Sequence, residues 1–133
     1  MPTRFTVLGS GSGGNASFLE TDQTRILIDA GLSGRQILRR LAQQGRTPET
    51  LDGIVLTHEH SDRIQGLQAI CKKLNIPIYC NRLTADELRF RLKIDLNICQ
   101  FVTGETFEIG NMIIENFAVP HDAQDPVGFH IKT

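Results

Sequence analysis

The residues best suited to chemistry lie in the segment 57–62, whose sequence is Thr-His-Glu-His-Ser-Asp. Two imidazoles, of His58 and His60, and the carboxylate of Asp62 stand at alternate positions in it. In an extended chain alternate side chains share a face, so these three would point one way and Glu59 the other. Neutral imidazole and carboxylate are ligands that zinc, manganese and iron take in proteins. The spacing predicts a metal site, with a solvated polar loop as the alternative.

The elements around this segment would hold it in place. Residues 53–57, Gly-Ile-Val-Leu-Thr, form a short apolar and β-branched run that predicts a buried strand. Ser61 or Asp62 can cap a helix over residues 63–74, where apolar residues recur at helical spacing. Whether the segment continues as a strand or turns into a helix, His58, His60 and Asp62 would lie at the carboxyl end of a strand. Open sheets usually have their ligand-binding sites there.

The rest of the chain alternates between strand and helix patterns. Capping boxes at Ser33-x-x-Gln36 and Thr84-x-x-Glu87 predict two further helix starts, and Gly110-Asn111 predicts a hairpin turn. We expect strands at residues 5–8, 16–21, 25–29, 53–57, 76–80, 106–109, 112–119 and 127–132. No repeat or low-complexity stretch interrupts the pattern, so residues 1–133 are expected to form a single α/β domain.

Composition says more about the number of domains and the cellular compartment than about the function. With 133 residues, 40% of them hydrophobic, the chain suffices for one domain and its core. A net charge of -1 gives no general attraction to nucleic acid or to a membrane, and no apolar run is long enough to cross one. Three cysteines, Cys71, Cys80 and Cys99, lie in apolar segments and are expected to be reduced core thiols of a cytoplasmic protein.

Several motifs together resemble one family. The segment His58-x-His60-x-Asp62, between an apolar strand and a helix, resembles the signature of the metallo-β-lactamase superfamily. Asp29-Ala30-Gly31 is similar to the early acidic motif of that fold, and residues 119–122, Val-Pro-His-Asp, are similar to its next metal-ligand motif. The glycine-rich segment 8–15 and residues 125–129 are most similar to the YycJ-type branch of exonuclease-like and phosphodiesterase-like hydrolases.

This resemblance implies a fold and a reaction. The fold would be the αββα sandwich of the superfamily, and the chain would be its N-terminal half, truncated at the C-terminus. The reaction would be hydrolysis of a phosphodiester or nucleic acid by metal-activated water, using one or two ions of Zn²⁺, Mn²⁺ or Fe²⁺. His58, His60 and His121 would hold one ion, and Asp62 would serve a second ion and catalysis.

The resemblance also assigns supporting roles. Asp29 would orient the motif loop by hydrogen bonds to the backbone or to a ligand imidazole, while a helix cap is the plainer role for it. Ser10, Ser12 and Asn15 in the glycine-rich loop would touch substrate, or else form a structural turn.

Arg63 departs from the family pattern, which has a histidine at that position. A guanidinium has no lone pair to donate and cannot ligate a metal. Arg63 could anchor a substrate phosphate, pair with an acid, or accompany a second metal held by other ligands; we favour a weakened second site. A half sandwich would also leave an apolar sheet face uncovered, so we expect a homodimer or larger species.

Other functions remain open. Truncation and Arg63 would be compatible with a non-catalytic metal-binding or interaction half-domain. Gly9-x-Gly11-x-x-Gly14 matches a dinucleotide fingerprint, but that motif needs a helix directly after it, and residues 16–21 favour a strand. A helix bearing Arg35, Arg39, Arg40 and Arg46 could meet a nucleic-acid backbone, or present a solvated face.

Overall fold

The computed structural model describes residues 3–10, 14–57, 64, 66–72, 74–92, 94–118 and 127–133. In this part of the chain two β-sheets pack face to face, and helices cover the other side of the larger sheet. The expected mixed α/β sandwich is confirmed.

The larger sheet is mixed. Its strands β1, β2 and β3 pair antiparallel, and the order continues through β4, β5 and β6, each parallel to the strand before it. Parallel neighbours require crossovers, and a helix lies in each of the three crossovers between β3 and β6. The bounds are β1 Arg4–Gly9, β2 Ala16–Glu20, β3 Arg25–Ile28, α1 Gly34–Gln43, β4 Gly53–Val55, α2 Leu67–Cys71, β5 Ile78–Asn81, α3 Arg82–Arg91 and β6 Ile98–Phe101.

The smaller sheet is an antiparallel meander of β7 (Thr106–Ile109), β8 (Met112–Ala118) and β9 (Val127–Lys132). Gly110 has a φ of 56° in the turn between β7 and β8, as the predicted hairpin requires. The turn packs on the turn between β2 and β3: Asn111 N donates to Thr24 Oγ1 at 3.1 Å, and Thr21 Oγ1 donates to Asn111 Oδ1 at 3.0 Å.

Two hydrophobic cores lie on opposite faces of the larger sheet. One joins the sheet to α1, α2 and α3 through residues such as Ile37, Leu67 and Leu88. The other lies between the sheets and contains Val55 and Ile114. Stacked aromatic rings extend the second core toward β6, where the Phe101 and Phe107 centroids are 4.8 Å apart and Tyr79 and Phe107 are 5.5 Å apart.

The smaller sheet covers much of the face of the larger sheet that was expected to be bare in a half sandwich. Strands β7, β8 and β9 lie within this chain and supply three strands of the second sheet. Apolar side chains do remain exposed at the edge strand β1, where Phe5 is 58% and Val7 is 56% accessible. Among the described residues, exposed apolar side chains thus lie on this open side of the sandwich, at β1, and also on the outer face of β8, where Ile113 is 39% and Phe117 is 48% accessible.

One helix cap is confirmed and one is corrected. Ser33 caps α1, its Oγ accepting from Gln36 N at 3.3 Å. The cap of α3 is Asn81 and not Thr84, because β5 runs straight into the helix and Asn81 Oδ1 accepts from Thr84 N at 3.0 Å. Strand β6 was also missed, since its sequence has no clear alternation of buried and exposed residues.

All three cysteines are free, as predicted. Burial raises the pKa of the Cys71 thiol to about 11 and that of Cys80 to about 12. Both therefore stay protonated and unreactive near neutral pH. Within the described part of the chain, none of the helices has the length and apolar character needed to cross a membrane.

A buried glutamate organises the amino end of the parallel strands. Glu20 accepts from Arg25 Nε and from Arg46 Nε, each at 2.9 Å. Burial by itself would raise the pKa of this carboxyl, but the bonds and charges of Arg46 and Arg25 outweigh it and lower the pKa. Arg40 donates to the Leu8 carbonyl at 2.5 Å. Two of the four arginines that could have met a nucleic-acid backbone, Arg40 and Arg46, are thus held by hydrogen bonds within the fold.

Candidate active site

Several chain segments meet at the carboxyl edge of the parallel strands. Asp29 follows β3, Thr57 follows β4 by two residues, and Asn81 is the last residue of β5. The antiparallel strands contribute as well: Gly9 pairs with Ala16, and Ser17 pairs with Ile28, so Ser10 and Asn15 lie at this edge too. The glycine-rich loop and the start of the histidine motif are therefore neighbours in space.

Strand β8 reaches the same edge from the other sheet. It starts beside the Thr24 turn, at the amino end of β3, and runs seven residues away from it. Near its far end Asn116 donates to the carbonyls of Glu105 at 2.6 Å and of Val102, just past β6, at 3.3 Å. The chain thus enters segment 119–126, like segment 58–63, from the carboxyl edge.

Asp29 is the most constrained side chain at this edge. It is 2% exposed, and its φ of 62° lies in the left-handed region, which costs a non-glycine residue about 1 kcal/mol. Its Oδ1 accepts from Thr57 N at 2.8 Å, and Thr57 Oγ1 lies 3.0 Å from Oδ2 and 3.1 Å from Oδ1. Asp29 N in turn donates to Val55 O at 2.8 Å. Asp29 therefore fixes the residue that immediately precedes His58.

The contact of Thr57 with Asp29 was not predicted from the sequence. A threonine after an apolar strand is usually a strand residue, so its type gives little signal. The available signal was its position between the strand and the first histidine, where both its N–H and its hydroxyl need an acceptor.

The glycine-rich loop packs backbone against backbone beside Asp29. Gly31 N donates to Asn15 O at 2.8 Å, and Gly14 has a φ of 126°. A Cβ on Gly14 would lie 2.5 Å from the Gly31 carbonyl oxygen, so only glycine fits. Ser10 is exposed and Asn15 is half-buried.

The same geometry removes the dinucleotide hypothesis. A phosphate-binding fingerprint needs a helix to begin directly after its glycines. Here Gly14 and Asn15 lead into strand β2, which starts at Ala16 and pairs with β1 and β3.

The predicted metal ligands themselves, His58, His60, Asp62 and His121, lie outside the described residues, as do Ser12 and Arg63. Their flanking residues are described: Thr57 and the buried Ile64 on one side, Ala118 and Val127 on the other. Among the residues with described positions, no three His, Cys, Asp or Glu side chains gather as a metal site requires. The ligand set stays a prediction.

The sequence matches a known family over most of its length. The family model described as "Metallo-beta-lactamase superfamily" matches residues 9–133. The protein named Exodeoxyribonuclease WalJ, of Streptococcus pneumoniae serotype 2, is 40% identical over 127 residues, which are 92% of this chain and 47% of the relative. Exodeoxyribonuclease YycJ of Bacillus anthracis is 36% identical over 135 residues, 98% of this chain and 51% of the relative. The chain spans about half the length of these relatives.

Solved structures show the same fold at low sequence identity. A B3 metallo-β-lactamase with an active-site glutamic acid superposes with a TM-score of 0.80 at 20% identity, over 98% of this chain and 57% of the other. A mutant flavo di-iron protein from Thermotoga maritima superposes with a TM-score of 0.77 at 20% identity, over 89% of this chain and 31% of the other.

Proposed function

Because the chain belongs to the metallo-β-lactamase superfamily, we propose that it is a metal-dependent phosphodiesterase that degrades DNA from an end. One observation carries the proposal. The two segments that contain the predicted histidine ligands both follow strands that end at the carboxyl edge, where Asp29 accepts a hydrogen bond from Thr57. The names of the two bacterial relatives, both exodeoxyribonucleases, support DNA as the substrate.

The predicted donor set suits a transition-metal ion. His58, His60 and His121 offer three imidazoles for one ion, and Asp62 offers a carboxylate for a second. The buried Asp29 carboxylate hydrogen-bonds the residue before His58, and such hydrogen bonds commonly orient the ligands of a metal site. A bound Zn²⁺, Mn²⁺ or Fe²⁺ would lower the pKa of a water molecule toward neutrality and polarise the phosphoryl oxygen.

The surrounding residues would position the substrate. Arg63 carries a permanent positive charge and five donors, so it would hold a phosphate while leaving the second ion weakly bound. Ser10 and Asn15 lie at the same edge and would contact the nucleotide. The three free cysteines favour a reducing compartment, so we place the protein in the cytoplasm.

A nuclease assay tests the proposal. The purified chain, loaded with Mn²⁺ or Zn²⁺, should shorten end-labelled DNA progressively and hydrolyse bis-p-nitrophenyl phosphate, because activated water attacks any accessible phosphodiester. A chelator should stop both reactions, and added metal should restore them. A chain that binds metal stoichiometrically but cleaves neither substrate would contradict the hydrolase and support the non-catalytic metal-binding domain.

We also propose that two copies of the chain associate through the open side of the sandwich. Phe5 pairs with Leu19, whose side chain faces the smaller sheet, and residues directly opposite in a sheet share a face. Phe5 and Val7 therefore point toward the smaller sheet but lie beyond its cover. Thr3 Oγ1 and Thr133 Oγ1 are 3.1 Å apart, so the edge strands β1 and β9 border the same opening.

A second copy fits this opening because it offers an equivalent strand edge and an equivalent apolar pair. Light scattering is expected to report a dimer for the wild-type chain and a monomer for Phe5→Lys. Phe90→Lys is a matched control, since Phe90 is 73% exposed on α3, and it should stay dimeric. A monomeric wild-type chain would rule the dimer out.

A further inference from the structure

A cavity opens at the carboxyl edge of the larger sheet, beyond the strand that precedes the histidine motif. It has a volume of about 250 Å³ and lies where β5 and β6 end, with Asn81 opposite Phe101 in the parallel ladder. Its lining combines one cation, amide and hydroxyl groups and an apolar wall: Asn81, Arg82, Gln100, Phe101, Val102 and Thr103. None of these lining residues is acidic.

Asn81 holds the two walls of this cavity together. Its Oδ1 accepts from Thr84 N at 3.0 Å, which fixes the start of α3. Its Nδ2 donates to Thr103 Oγ1 at 3.3 Å, which fixes the turn after β6. Asn81 itself is 2% exposed. The cavity is thus built on packed elements and does not depend on a free loop.

Arg82 is the cation of the cavity, and its charge is not used by the described fold. It is the first residue of α3 and its side chain is exposed. The other two arginines of this helix are paired, Arg89 with Asp86 at 3.6 Å and Arg91 with Glu87 at 2.9 Å. Within the described ranges, Arg82 has no acidic side chain within ion-pair distance.

The register of the sheet relates the position of Arg82 to that of Thr57, the residue before the predicted ligand His58. Val55 pairs with Tyr79, and Leu56 N donates to Tyr79 O at 2.9 Å, so Thr57, two residues past β4, lies level with Asn81 at the end of β5. Neighbouring strands are about 4.8 Å apart. Arg82 therefore leaves the sheet one strand away from the residue before His58.

These features suit a nucleic-acid strand that crosses the edge. The chain as a whole has a net charge of -1, so affinity for a polyanion must come from local positive charge. Val102 is 62% exposed and lines the same cavity as Arg82, so the cavity offers an apolar surface as well as a cation. A cation beside an apolar surface can contact both the phosphate and the sugar or base of one nucleotide, whereas a bare inorganic anion would use only the cation.

We propose that Arg82 binds a backbone phosphate adjacent to the scissile one, with the attached nucleotide resting on Val102. The cavity would set the path of the strand as it leaves the metal site. This inference rests on the proposed nuclease function and adds the binding site that function requires.

Binding of a cleavage-resistant probe tests the inference. Metal-loaded protein is titrated against a fluorescein-labelled single-stranded DNA with phosphorothioate linkages, at several salt concentrations. Arg82→Ala is expected to raise Kd about tenfold, because it removes a charge-assisted contact. It should also reduce the slope of log K against log salt by about 0.7, the loss of one phosphate contact. Arg89→Ala, a change of the same charge on the same helix, should leave both quantities near wild type.

Different outcomes would contradict the Arg82 phosphate site and the proposed nuclease function. If Arg82→Ala and Arg89→Ala bind the probe equally well while the wild type cleaves DNA, the Arg82 site is wrong and the nuclease stands. If the wild type hydrolyses bis-p-nitrophenyl phosphate but does not bind the probe, both the site and the nucleic-acid substrate are wrong. Arg82→Gln, which keeps much of the side-chain length, replaces Arg82→Ala if the alanine variant does not fold.

Discussion

A His60→Ala variant is expected to lose its bound metal ion and to cleave DNA about a thousandfold more slowly than the wild type. The metal supplies several kcal/mol of transition-state stabilisation, and each 1.4 kcal/mol is a factor of about ten in rate. Removing one of three imidazoles leaves too few protein ligands to hold the ion tightly. His58→Ala and His121→Ala should behave alike, since the three are predicted to share one ion.

Metal content per protein, measured by plasma mass spectrometry alongside the nuclease rate, checks this expectation. His130→Ala is the matched control, because His130 lies on β9 with a 64% exposed side chain and is not among the predicted ligands. It should keep both metal and activity. A His60→Ala protein with the metal content of the wild type would remove the central assignment.

An Asp29→Ala variant is expected to be less stable by about 3 kcal/mol and to bind metal ten to a hundred times more weakly. Alanine loses the acceptor for the Thr57 N–H and hydroxyl, and leaving such groups unpaired costs about 1–3 kcal/mol. Alanine also tolerates the φ of 62° less well than aspartate, which adds about 1 kcal/mol. Metal affinity should fall because the loop before His58 is no longer fixed.

Urea unfolding and a competition titration with a chromophoric chelator measure the two effects. Asp29→Asn tolerates the same backbone and keeps one acceptor oxygen, so it should fall between wild type and Asp29→Ala. Asp22→Ala removes an exposed turn aspartate and should change neither quantity appreciably. A loss of less than about 1 kcal/mol in Asp29→Ala would mean that the Thr57 contact contributes little.

The sequence predicted the elements whose signals are local. The Ser33 cap, the Gly110 turn and the strand that begins at Met112 can be read from a few consecutive residues, and each was confirmed. Strand β6 was missed because its stability comes from parallel pairing with β5, a partner that lies far along the chain. The cap of α3 was misplaced by three residues for a similar reason, since only the length of β5 shows that Asn81 ends the strand.

The same distinction between local signals and contacts of distant segments applies to the candidate site. Residue types and spacing led to a predicted set of metal ligands, which lies outside the described residues, and to a supporting role for Asp29, whose contact with Thr57 the structure shows. They were not enough to find Thr57 as its partner or to place Arg82 one strand away from Thr57. Both depend on the register of β4 between β3 and β5, which sequence periodicity does not report.

The contact between Thr3 and Thr133 has a practical consequence for anyone handling this protein. A bulky label attached to a cysteine introduced at Thr3 or Thr133 would lie close to the exposed Phe5 and Val7. Such a label would compete sterically with self-association, so labelled and unlabelled protein are expected to differ in molar mass.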